Sequence, residues 1–292
     1  MNQDDAIFPI RHIAEVTGVL TVTLRAWERR YGLLKPTRTA KGHRLYSEAD
    51  ITRVKEVLSL LNQGLAISQV RQVLDQKTAL SPMVQSASDG VAGLHNQLYA
   101  IVMNLDALSA SRFIYDAGKN YPVAMVVERL VRPLKHRLSQ TSDAIHQAAG
   151  STLKLAMHMA MFRRLSHRNA KPYSAQILFA GLADEDMCLS YDLALVLAIE
   201  AGLPVAAIGH RVPLPALAEV AAAQHSQSIV IWADAEPKVG WENQMWALAM
   251  QSGLRLSMGG ELASRHQSFL QSIGVGVLMS NMEQNIQVIK QQ

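Results

Sequence analysis

The sequence predicts a mainly α chain that ends in an α/β layer. Its expected parts are an N-terminal winged helix-turn-helix, a middle four-helix bundle and a C-terminal Rossmann-like five-stranded parallel sheet. Three observations predict this. Two short amphipathic segments flank Gly18 and are followed by an aperiodic stretch rich in turn residues. Helical periodicity then runs through residues 91–170. After Lys171-Pro172, short apolar runs alternate with helix-length amphipathic segments, as successive β–α units do.

Residues 9–18 read as a short helix ended by Gly18, and residues 21–31 as a second, with Thr21 as its N-cap. GLLKPTRTAKGHRLYS has no helical period. Its Pro36, Gly42 and alternating apolar positions predict a two-stranded wing. Ser47 followed by Asp50 predicts a capped start for a helix over 48–63, stopped by Gly64, with a shorter helix over 67–76. Residues 77–90 are small and polar and read as a linker. Four helices follow, over 91–103, 105–118, 122–139 and 143–168. The five apolar runs are 175–181, 204–209, 228–234, 255–260 and 274–280. The expected division is a DNA-binding head at 1–77, a linker at 78–90, a bundle at 91–170 and the sheet domain at 171–292.

The chain has 292 residues, 49% of them hydrophobic, which is ample for a core. Its single cysteine, Cys188, excludes an intrachain disulfide and a cysteine-cluster zinc site. The N-terminus MNQDDAIF is acidic and lacks an apolar segment, and no run of 18 apolar residues occurs. A cytoplasmic protein with no membrane partner is expected. The net charge is +4, and residues 25–55 hold nine basic against three acidic side chains. Such a local excess fits a polyanion site, and it also fits a solvated charged face.

The second helix carries Arg25, Arg29 and Arg30, with Thr21 and Thr23 at its start, while Leu24 and Trp27 face inward. A guanidinium fork suits a phosphate or a guanine edge. The wing adds Lys35, Arg38, Lys41, His43 and Arg44, cations that can follow a phosphate backbone. Tyr31 reads either as core or as a phosphate contact, and Glu28 as an internal ion-pair partner. Arg30 and Arg44 are the expected phosphate contacts.

Thr23-Leu24-Arg25, Trp27, Arg29-Arg30-Tyr31-Gly32-Leu33-Leu34, Pro36, Arg38, Gly42-His43-Arg44 and Tyr46 closely resemble the N-terminal domain of MerR-family regulators. The resemblance covers about residues 8–76. It implies that Thr23, Arg25, Arg29 and Arg30 belong to a recognition helix. It places Arg38, Gly42, His43, Arg44 and Tyr46 in the wing. The implied partners are double-stranded promoter DNA and RNA polymerase. Because one small winged domain buries little surface, a homodimer on an inverted repeat is expected.

The bundle and sheet resemble cobalamin-binding modules, more loosely. In those modules an acid-x-His-x-x-Gly pattern after the first strand supplies a cobalt-ligating His, and a glycine pair after the fourth strand accommodates the nucleotide tail. Aligned here, the acid falls on Glu185, the His on Met187 and the Gly on Ser190. A thioether is a poor substitute for imidazole. The adjacent Glu-His pair that caps the cofactor in light-sensing repressors aligns with Lys154 and Leu155. Only the pair Gly259-Gly260 is kept, as a vestigial cofactor-binding candidate or as a strand-end turn needing positive φ. The expectation is no metal and no cofactor, with cobalamin disfavoured, as in the MerR-like regulators of biofilm and curli genes that share this architecture. The competing readings are a cobalamin-dependent light or cofactor sensor and a cobalamin-carrying enzyme subunit. Asp184, Glu185 and Asp186 read as a helix cap, and the sequence has no Walker loop or nucleophile elbow, so no enzyme is expected.

Overall fold

The computed structural model describes residues 7–76, 91–166, 177–182, 189–237 and 239–278, together with Asn285 and Ile289. The predicted linker lies outside the described residues. Two compact units are present, Met1–Ala160 and Met161–Gln292. Head and most of the helical segment thus share one unit.

The first unit opens with β1 (Phe8–Pro9), α1 (Ile10–Thr17) and α2 (Thr21–Ala26), which continues into a π turn at Trp27–Tyr31. Thr21 is not the cap. Leu20 holds that position, and no side chain caps the helix. The wing is β2 (Thr37–Arg38) paired antiparallel with β3 (Arg44–Tyr46), in register Arg38↔Arg44. A third strand, β1, joins it through Phe8↔Tyr46, giving the order β1-β3-β2. Two residues are too few to display a strand's period, so this strand had no sequence signature.

Helices α3 (Glu48–Asn62) and α4 (Ile67–Gln76) complete the head. Ser47 and Asp50 form the expected capping box, and Gly64 takes the positive φ of 96° that ends the turn. The bundle holds α5 (Val91–Met103), α6 (Ala107–Asn120), α7 (Val123–Val126), α8 (Arg132–Ser139) and α9 (Ala144–Ser166). Helix α6 starts two residues later than predicted, because Asp106 caps it by accepting the Ser109 N–H at 2.9 Å. The predicted helix 122–139 is interrupted by a π turn at Val127–Val131, which ends two residues before Pro133. Proline has no N–H to give the Arg129 carbonyl, so the regular ladder loses a rung there.

The second unit contains β4 (Ile177–Gly181), α10 (Leu189–Glu200), β5 (Val205–Gly209), α11 (Leu217–Ala223), β6 (Ser228–Trp232), α12 (Trp241–Gln251), β7 (Arg255–Gly259), α13 (Glu261–Arg265), α14 (Gln267–Ser272) and β8 (Gly276–Val277). All pairings are parallel, in the order β5-β4-β6-β7-β8. Strand alternation builds two cores. Leu178, Ala180, Ile229, Ile231, Leu256 and Met258 pack with Leu217, Trp241, Met245 and Leu262. Ile177, Phe179, Val230 and Trp232 pack with Tyr191, Ala194, Leu195 and Ala198. The chain reverses direction across the sheet between β4 and β6, and that reversal opens a crevice at their C-terminal ends. Among the described residues no helix is long and apolar enough to cross a membrane.

Candidate nucleic-acid interface

Helix α1 stops at Gly18, whose φ of 67° lets its N–H reach the Ala14 carbonyl at 2.9 Å. The chain then turns through the buried Val19 into α2. Leu24 and Trp27 are fully buried beneath α2, while Arg25, Arg29 and Arg30 are exposed above it. Arg25 and Arg29 are one turn apart and share a face. The helix ends at Gly32, with φ 60°. A Cβ there would stand 2.7 Å from the Arg71 guanidinium, so glycine also makes room for α4. Arg53 on α3 donates to the Leu33 carbonyl at 2.6 Å and fixes the exit of the helix.

The wing turns at residues 39–43. Thr39 donates to the His43 carbonyl at 2.9 Å, and Gly42, at φ 80°, donates to Thr39 at 2.8 Å. This turn carries Lys41 and His43 into solvent, with Lys35 and Arg38 also exposed. Glu28 fastens wing to helix. It accepts Arg44 Nε at 2.5 Å and Nη2 at 3.1 Å, and Arg38 Nη2 at 3.5 Å. The hydrogen bond to Glu28 holds the Arg44 pKa above its ordinary value.

Several of the expected contact residues are buried or paired within the head. Thr23 is fully buried, and so is Tyr46, whose phenol burial pushes up to about 12. Neither hydroxyl has a hydrogen-bond partner, and neither side chain reaches the surface. Both follow a simple cause: Thr23 lies beside Leu24 on the inner side of α2, and Tyr46 is the inward residue of β3. Arg44, an expected phosphate contact, has two of its guanidinium nitrogens on Glu28 and only 21% of its side chain exposed. Tyr31 is half-buried, and burial raises its pKa while Arg30 opposes the rise.

Two residues near the recognition helix had no sequence signal beyond a helix break at Tyr121-Pro122. Asn120, the last residue of α6, accepts the Trp27 indole N–H on its backbone carbonyl at 2.7 Å. Its side-chain oxygen accepts Arg30 at 3.0 Å. The Tyr121 hydroxyl accepts the Ile67 N–H at 3.3 Å.

The sheet crevice was the other expected site. Glu185 and Met187 lie outside the described residues. Ser190 opens α10, where its hydroxyl accepts the Trp232 indole N–H at 2.8 Å and donates to Asp234 at 2.5 Å. The Trp232 ring lies against Gly259 so closely that a Cβ there would be 2.3 Å from it. At Gly260, φ is 93° and a Cβ would stand 2.2 Å from the Ala233 carbonyl oxygen. Both glycines are thus required by the chain's own packing. The space beside Gly259 on this strand end is taken by the Trp232 indole. Among the described residues no group of three or more His, Cys, Asp or Glu is arranged to hold a metal.

Residues 8–77 match the family described as MerR HTH family regulatory protein. The HTH-type transcriptional regulator MlrA of Salmonella typhimurium is 34% identical over 145 residues, which is 50% of this chain and 57% of that protein. MlrA of Escherichia coli K12 is 33% identical over 133 residues, 46% of this chain and 52% of that protein. The HTH-type transcriptional repressor CarA of Myxococcus xanthus is 28% identical over 166 residues, 56% of this chain and 55% of that protein. The chain thus spans about half the length of the curated relatives it matches. Among solved structures, the monomethylamine corrinoid protein of Methanosarcina barkeri superposes with a TM-score of 0.51 at 13% identity, over 68% of this chain and 98% of that one. The chain therefore carries a MerR-type helix-turn-helix domain at residues 8–77, and its fold is similar to that of this corrinoid protein.

Proposed function

We propose that this protein is a cytoplasmic, sequence-specific DNA-binding transcription regulator and not an enzyme. The observation that carries this reading is a set of exposed cations on a helix and wing tied together by Glu28. Arg25 and Arg29 stand on α2, and Lys35, Arg38, Lys41 and His43 stand on and around the wing. Glu28 sets helix and wing in a fixed relation, so that α2 can enter a major groove while the wing follows the phosphates. With Thr23 and Tyr46 buried and Arg44 paired, Arg25, Arg29, Lys41 and His43 become the leading DNA contacts. Two such heads in a homodimer read an inverted repeat in a promoter, and RNA polymerase is the partner there. The sheet domain keeps a cobalamin-binding-like scaffold without the cofactor. Support for that comes from the Trp232 ring beside Gly259 and from Ser190 at the aligned loop-glycine position.

Selection of duplexes from a random pool by the purified full chain tests the reading. The expected product is an inverted repeat, bound with an affinity that falls steeply as salt rises. No enrichment, or binding indifferent to salt, overturns it. Gel filtration after incubation with adenosylcobalamin tests the second part. Visible absorbance co-eluting at one equivalent per chain overturns the cofactor-free assignment.

A further inference from the structure

The end of helix α6 meets the recognition helix through two hydrogen bonds and helix α4 through a third. Trp27 is fully buried, so its indole N–H needs an acceptor inside the protein. Asn120 is the last residue of α6, and its carbonyl is one of the four that a helix leaves without an internal partner. Pro122 blocks continuation of the helix, and Tyr121 is extended, with φ −118° and ψ 150°. The Asn120 carbonyl takes the Trp27 donor at 2.7 Å. Arg30 then lies at the negative end of the α6 dipole and donates to the Asn120 side chain at 3.0 Å. One residue further, the Tyr121 hydroxyl accepts the Ile67 N–H at the first turn of α4, one of that helix's own unpaired donors. The sequence separations are 93, 90 and 54 residues, so none of these bonds is local.

Arg30 is held on the α6 side of the recognition helix, while Arg25 and Arg29 share the adjacent exposed face. A rotation of α2 that broke the Asn120 contacts would turn Arg25 and Arg29 relative to the wing. We propose that Asn120 is a positioning residue for DNA recognition: it fixes the rotation of the recognition helix from outside the DNA-binding domain, by binding both Trp27 and Arg30. The proposal rests on the DNA-binding reading above. It also extends the working head beyond residue 77, to Tyr121 at the end of α6.

The test uses the full chain, the duplex selected from the random pool and a scrambled duplex of the same composition. Asn120→Ala removes the acceptor for Arg30 and keeps the backbone carbonyl. It is expected to weaken binding of the selected duplex by about three- to tenfold, the scale of one charge-assisted hydrogen bond at a partly exposed site. Binding of the scrambled duplex, which depends on charge more than on orientation, should change less than the selected one. Asn120→Asp keeps an acceptor for Arg30 and should restore most of the loss. In an Arg30→Ala background, Asn120→Ala should add nothing. Hydrogen exchange should show faster amides over 21–33 in Asn120→Ala, with the amides of α9 unchanged. Equal effects of Ala and Asp, additivity with Arg30→Ala, or unaltered binding and exchange in Asn120→Ala each overturn the proposal. If the wild-type chain does not distinguish the two duplexes, the DNA-binding reading fails, and exchange over 21–33 alone decides whether Asn120 holds the helix.

Discussion

The Trp232 ring occupies the position where a side chain on Gly259 would begin, its Cζ3 being 2.3 Å from an ideal Cβ at that residue. The two residues are register partners in the parallel pairing of β6 with β7. The indole cannot swing away freely, because its N–H is bonded to Ser190, which is bonded in turn to Asp234. Gly259→Ala is therefore expected to destabilise the protein by about 1–3 kcal/mol through overpacking. Urea unfolding measures this. Trp232→Ala alone should also destabilise, by leaving a cavity. The double variant should lose less than the two single losses added together, and simple additivity would show that the ring and the glycine are not coupled.

The two buried hydroxyls of the head give the opposite expectation. Thr23 and Tyr46 each bury an oxygen with no hydrogen-bond partner. Thr23→Val and Tyr46→Phe remove that oxygen at nearly constant shape. Both should leave stability unchanged or raise it by about 1 kcal/mol, with duplex affinity unaltered. A marked loss of affinity with a normal melting temperature would return either residue to the DNA contacts.

Tyr46 also predicts an alkaline limit. Its folded pKa of about 12 lies above the ordinary value of 10.0, with burial as the largest cause. A raised pKa means that the folded state holds the proton more tightly than the unfolded chain. The associated stability is fully present below pH 10.0 and is lost as pH rises from there toward about 12. The loss is on the order of 3 kcal/mol. Denaturant melts across this window should show a steeper alkaline decline for the wild type than for Tyr46→Phe.

Arg29 and Arg44 should separate function from architecture. Arg29→Ala removes an exposed cation and should lower the slope of log affinity against log salt by about 1, with little change in melting. Arg44→Ala breaks a pair whose side chains are 21% and 15% exposed, and leaves Glu28 facing only Arg38. It should cost about 1–3 kcal/mol of stability and change the salt slope less. If Arg44→Ala lowers the slope as much as Arg29→Ala does, Arg44 is a phosphate contact as the sequence suggests.

Ser47→Ala tests the start of α3. The Ser47 side chain accepts the Asp50 N–H at 3.2 Å, and Asp50 accepts the Ser47 N–H at 2.9 Å. Loss of this cap should cost about 1 kcal/mol, read from the melting of the head.

The sequence by itself determined whatever depends on neighbours along the chain. The Ser47–Asp50 capping box, the turns at Gly18, Gly42 and Gly64, and the five parallel strands are local in this sense. Each follows from a short spacing or from alternation such as Ile177, Phe179 against Leu178, Ala180. The burial of Leu24 and Trp27 was legible for the same reason, since helical periodicity places them on one face. The tertiary structure alone decided which polar residues of that segment remain available. Thr23 looks like a surface helix residue until the neighbouring elements cover it, and Arg44 looks like a free cation until Glu28 is brought across from α2. Asn120 carries no motif at all, because its role depends on a helix end meeting an indole from 93 residues away. Gly259-Gly260 reads alike as a ligand cleft or as a strand-end turn, and the Trp232 ring packed against Gly259 is visible only in the tertiary structure. Periodicity and capping are set by chain neighbours, whereas burial and the pairing of polar groups are set by partners that folding brings from elsewhere.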